Sequence, residues 1–239
     1  MKVLWFSVTP SLFHTYSNSH NGGGWIASLE RIVRQVQEVE LGIAFNFAAE
    51  GFVHEQDGVK YYPISHESLE TYKQIIDDFK PDLIQIFGSE NDFGRICDTT
   101  EVPVVIHMQG CLPPYHNALL PVGMSKTDFI FQKGLSLRYR YIGLRSESAF
   151  RKHAKRELET IGKCRYFMGR TDWDHRLIDL FNPSATYFHC EEALRQSFID
   201  GEEVWTGNED GTKRVVSIIS RPWYKGCDLI LKTANLLTK

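Results

Sequence analysis

The chain has 239 residues, 42% apolar and 24% charged, the balance of a folded domain and not of a disordered or fibrous chain. Its net charge of −3 gives no global reason to expect nucleic acid, and no stretch approaches the roughly 20 apolar residues of a membrane-spanning helix. The five cysteines, at 97, 111, 164, 190 and 227, are widely spaced with no C-x-x-C pair, and read as reduced cytoplasmic thiols, not a disulfide frame or a zinc site.

Residues 2–8 form an apolar run, which reads as a strand buried on both faces; it breaks at Pro10 and is too short for a signal peptide. A polar loop over 9–23 carries His14, Tyr16, Asn18 and His20. The two histidines lack acidic or thiol companions, so they make a poor metal site. The loop ends in Asn21-Gly22-Gly23-Gly24-Trp25, and a helical pattern follows to about Glu40, with Ile26, Leu29, Ile32, Val33 and Val36 on one face. Strand, glycine loop and helix in that order make an anion or phosphate cradle, because glycine admits close approach and the helix start leaves N–H groups unpaired. Neither G-x-x-x-x-G-K-[ST] nor G-x-G-x-x-G is present, so the P-loop and the dinucleotide fingerprint are excluded.

Strands are expected over 41–47, 59–63, 82–87, 102–107 and 164–169, and helices over about 67–79, 146–162 and 173–181. Alternating strands and helices mean α/β: a Rossmann-like open, mostly parallel sheet with helices on both faces. Ligands bind such sheets beyond the C-terminal ends of the strands. Gly22–Gly24, Gly88–Glu90 and His107–Gly110 fall at that edge, which makes Glu90 and Gln109 cleft-lining candidates. Arg170, at the end of another strand, joins them, while Thr171 or Asp172 reads as a helix cap.

Between Lys133 and Arg156 eight basic residues face one acid, Glu147, with Phe131, Tyr139, Tyr141 and Phe150 interleaved. Arg151, Lys152, Lys155 and Arg156 belong to this run. It reads either as a solvated helix face or as a patch for an anionic membrane surface or a lipid-diphosphate acceptor. RNA is the weaker alternative, since no RNA module accompanies it. Residues 191–211 are acidic, and the segment Gly201–Gly211 reads as a loop or linker. A strand over 213–219, a loop over 220–226 and a helix from Cys227 then restart the pattern, as if a second domain began there. The expected division is 1–212 and 213–239.

Four pieces together resemble family 4 of the retaining glycosyltransferases, which have two Rossmann-like domains in the GT-B architecture. They are the strand, glycine loop and helix over 3–36; Pro81-Asp82-Leu83-Ile84-Gln85-Ile86; Pro103-Val104-Val105-Ile106-His107; and Ser220-Arg221-Pro222-Trp223-Tyr224-Lys225-Gly226. The resemblance implies transfer of a sugar from a nucleotide-sugar to a glycan or lipid-diphosphate acceptor, with no bound cofactor or metal. It places His107 at the donor sugar as the catalytic residue, Arg221 and Lys225 on the leaving diphosphate, and Gly22, Gly23 and Gly24 against phosphate or acceptor. The family's paired glutamates, E-x7-E, are not in these 239 residues. The chain is therefore expected to be the acceptor-binding half, inactive alone and cytoplasmic or peripheral on the inner membrane face. The competing expectations are a stand-alone sugar- or anion-binding module and a sugar-nucleotide epimerase with Glu90 as base.

Overall fold

The structure is a computed structural model that describes residues 1–13, 24–47, 53–130, 137–202, 207, 216–217 and 225–237; for residues 129–130, 139–140 and 142–143 it describes backbone alone. His14, Tyr16, Asn18, His20, Gly22, Gly23 and Arg221, and most of the strand expected over 213–219, lie outside the described residues. The chain divides into two compact units. One is Met1–Cys111 with Arg156–Gly201; the other is Leu112–Lys155 with Glu202–Lys239.

The first unit is built on an eight-stranded sheet in the order β3-β4-β2-β1-β5-β6-β7-β8. The strands are β1 (Lys2–Ser7), β2 (Glu40–Asn46), β3 (His54–Gln56), β4 (Val59–Ile64), β5 (Leu83–Phe87), β6 (Val104–His107), β7 (Tyr166–Gly169) and β8 (Thr186–His189). Only the β3–β4 pair is antiparallel, a hairpin turning at Asp57-Gly58, both at positive φ. All other pairs are parallel. The fold is thus the α/β, Rossmann-like, mostly parallel sheet that the alternation of elements implied.

Helices cover both faces. On one, α1 (Gly24–Val33) packs Ile26 with Trp25, Leu29 and Val33 against Val3, Trp5, Ile43, Phe45 and Tyr61. On the other lie α2 (Leu69–Phe79), a 3-10 helix (Asp92–Asp98), the C-terminal part of α5 (Leu137–Lys163) and α6 (Asp172–Phe181). These bury Tyr72, Phe79, Phe93, Ile161 and Ile178 over Leu4, Phe6, Ile84, Ile86, Ile106 and Phe167. Alternate residues of β1 serve the two faces, which is why its whole run is apolar. Ser68 caps α2 by accepting the Thr71 N–H, and Lys80 ends it in the left-handed conformation.

The second unit contains α3 (Leu112–Asn117), α4 (Lys126–Ile130), the N-terminal part of α5 and α8 (Cys227–Leu237); α7 (Gln196–Ile199) belongs to the first unit. The reading of five reduced thiols needs correction. Cys97, in the 3-10 helix, and Cys164, just before β7, form a disulfide with their Cα atoms 5.2 Å apart, leaving Cys111, Cys190 and Cys227 free. The pair is 67 residues apart in sequence, and only the packing of these two segments on one sheet face brings it together.

Candidate functional site

The C-terminal ends of β5, β6 and β7 collect the chemistry-bearing groups of the first unit. His107 closes β6 and is 1% exposed. Its ring forms a three-ring cluster with Trp25, the second residue of α1, and Phe87, the last of β5, with centroids 4.9 and 5.8 Å away; Trp25 and Phe87 also touch, at 5.4 Å. Nδ1 is 3.3 Å from Gln85 Nε2. With the Gln85 amide donating, Nδ1 accepts and the ring proton resides on Nε2. That Nε2 is buried with no hydrogen-bond partner among the described residues. Burial pushes the imidazole down to about 4; Asp174 opposes that fall and Arg170 adds to it. At neutral pH His107 is therefore an uncharged ring with one N–H to give. A buried orphan donor costs about 1–3 kcal/mol, a cost that a ligand oxygen would remove.

The next strand end is equally specific. The Gly88 N–H bonds the His107 carbonyl at 2.8 Å, tying the β5 loop to β6. Gly88 has φ +87°, and an added Cβ would stand 2.6 Å from a carboxylate oxygen of Glu90. Glu90 thus curls over a position that only glycine leaves open. Its Oε2 is buried without a partner among the described residues, and burial raises its carboxyl above the ordinary range. Arg156 holds the loop from below, donating to the Glu90 carbonyl at 2.7 Å and to Asp92 at 3.4 Å. The Ser89 hydroxyl donates to Glu157, which is fully buried.

At β7 the capping box is made by Thr171, not Asp172. Thr171 Oγ1 accepts the Asp174 N–H, and Asp174 accepts the Thr171 N–H in return. Arg170 is exposed and pairs with Glu192 at 2.8 Å, and Gln109 is exposed. Gly24, at φ +62°, begins α1 with Trp25 against His107. His107, Glu90 and Arg170 therefore share one sheet edge. Arg156, counted with the basic run, belongs instead to the loop that carries Glu90. In the second unit Lys225 lies 5.9 Å above the Tyr115 ring, while Arg151, Lys152 and Lys155 are exposed on α5. Among the described residues no cluster of three His, Cys, Asp or Glu is placed to hold a metal. No helix among them is long and apolar enough to cross a membrane.

No protein-family model and no curated protein matches the chain. A solved structure of sucrose-phosphate synthase from Thermosynechococcus elongatus is similar to it, with a TM-score of 0.50 and 6% identity. The similarity covers 79% of this chain and 47% of that one, so the chain spans about half the length of the structure it matches. At this identity the likeness is one of fold.

Sequence reasoning placed His107 and Glu90 at strand ends of this edge but not the groups that surround them. Gln85 was hidden in an apolar strand, although a lone amide at such a position asks for a buried partner. In sequence Trp25 stands as the end of the glycine loop, and Phe87 as the end of a strand.

Proposed function

We propose that the chain is the acceptor-binding part of a retaining glycosyltransferase, which moves a sugar from a nucleotide-sugar to a glycan or lipid-diphosphate acceptor. The observation that carries this reading is His107: a neutral, buried ring at a strand's C-terminal end, with its Nε2 proton unspent. The fold it sits in is shared with a sucrose-phosphate synthase structure. A sugar hydroxyl at Nε2 would satisfy the orphan donor. Glu90, half-buried with its Oε2 covered and its carboxyl raised, offers a second polar group at the adjacent strand end. Charge would grow on the leaving diphosphate as the glycosidic bond breaks, and Arg221 and Lys225 are proposed to meet it without a metal. On this reading residues 213–239 open the donor-binding domain.

The test is transfer from a panel of radiolabelled nucleotide-sugars by the whole natural protein. Replacing His107 by Ala should lower kcat about a hundredfold, the usual effect of deleting a donor that acts on a reacting sugar. The folded fraction, followed by near-ultraviolet circular dichroism, should stay unchanged. Full turnover in His107→Ala removes His107 from the reading, and no transfer by the wild type from any donor removes the transferase.

A further inference from the structure

The N-terminal part of α5 carries two kinds of residue on one surface. Between Leu137 and Lys155 stand six Lys or Arg and a single acid, Glu147. At about 100° per residue, Leu137, Tyr141, Leu144, Arg151, Lys152 and Lys155 share one stripe of the helix, with Arg145 at its margin. The three apolar members are 80%, 64% and 44% exposed, and the cations are exposed with them. Glu147 lies off the stripe, where Lys126 reaches it at 2.5 Å and His116 at 3.4 Å. Phe150 also faces away from the stripe, stacked on His116 at 6.0 Å. The helix thus turns its acid and one aromatic inward, and leaves outside a row of leucine, tyrosine and leucine leading into a row of cations.

Scattered exposed leucines are ordinary; two leucines and a tyrosine in line on a basic helix face are not explained by packing among the described residues. From this face we propose that α5 docks on an anionic lipid bilayer. The Leu137, Tyr141 and Leu144 side chains enter the boundary between headgroups and acyl chains, and Arg145, Arg151, Lys152 and Lys155 lie over the headgroups. Charge complementarity favours the anionic surface, and the aliphatic pair favours lipid over RNA. Single-stranded RNA would use the cations and the tyrosine but gain nothing from Leu137 or Leu144. The inference stands apart from the role of His107 and does not depend on sugar transfer.

The test is cosedimentation of the full chain with vesicles of equal parts phosphatidylcholine and phosphatidylglycerol, beside vesicles of phosphatidylcholine alone. Binding should require the anionic lipid and weaken as salt rises to about 0.5 M. The triple change Arg151→Glu, Lys152→Glu, Lys155→Glu should weaken it on the order of a hundredfold, as three lost surface cations predict. The triple change Leu137→Ser, Tyr141→Ser, Leu144→Ser should weaken it about tenfold through lost apolar insertion. All six positions are exposed, and circular dichroism of each variant checks that the fold is kept. No binding at low salt overturns the proposal. So does equal binding to both vesicle types, or tighter binding to single-stranded RNA that the serine variant leaves unchanged.

Discussion

At the scale of single residues the molecule spends stability to hold His107 neutral. The ring's folded value is about 4, against about 6.5 when unfolded. Between those values the unfolded chain binds a proton that the folded chain refuses, so stability rises with pH across the window and is lost on acidification. The loss from pH 7 to pH 4 amounts to about 3 kcal/mol for this one group. Glu90 works the other way, because its raised carboxyl takes up a proton earlier when folded. Urea unfolding of the wild type and of His107→Gln at the two pH values isolates the histidine, since both proteins keep Glu90. The wild type should lose about 3 kcal/mol more than the variant; equal losses would mean that His107 is not held neutral by burial. The histidine itself was legible, because it ends an apolar strand. Its protonation was not, because that depends on Gln85, a residue of β5 brought beside β6 only by the pairing of Phe87 with His107.

At the scale of elements, α1 shows what periodicity reads and what it leaves out. The pattern put Ile26, Leu29, Ile32, Val33 and Val36 on the core face and ran the helix to about Glu40. The helix ends at Val33, with Ile32 54% and Val36 42% exposed, while Glu30 is fully buried. Glu30 accepts from Arg34 Nε at 2.9 Å, from the Tyr61 hydroxyl and from the Leu12 N–H at 3.0 Å. It therefore fastens the loop after β1 to the helix and to β4. Burial and Glu30 together push the Tyr61 phenol far up, so it stays a donor at any working pH. Replacing Glu30 by Ala leaves the buried Tyr61 hydroxyl without its acceptor and the half-buried Arg34 guanidinium with Asp57 as its remaining carboxylate, at a cost of about 2–3 kcal/mol. Urea unfolding should show that loss, and a smaller one when Tyr61→Phe is already present. A cost below about 1 kcal/mol would show that the cluster does not anchor the loop. No sequence pattern announces such a carboxylate, because its partners lie on three different elements. Sequence also hid β8, four residues long and mostly exposed, and the first turns of α5, whose start lies in a stretch that the preceding prolines obscure.

At the scale of the whole molecule, the largest departure from the sequence reading is covalent. The chain from Cys97 to Cys164 leaves the 3-10 helix, forms β6, runs through Leu112–Lys155 of the second unit and returns along α5. Such a long excursion between two fixed points of one sheet is entropically costly to hold closed. A bond across 67 residues removes about 4 kcal/mol of that freedom from the unfolded chain. It also fixes the 3-10 helix, whose Asp92 receives Arg156 beside the Glu90 loop. Thiol titration of the denatured, unreduced chain should therefore count the three free cysteines. Cys97→Ser should lower the urea unfolding free energy by about 4 kcal/mol. Reductant should lower the wild type by a similar amount and leave the variant unmoved, because the variant has no bond to lose. A count of five thiols would return the pair to the reduced state first read from the sequence. The stability of the first unit would then rest on its two apolar faces and on polar clusters such as that of Glu30.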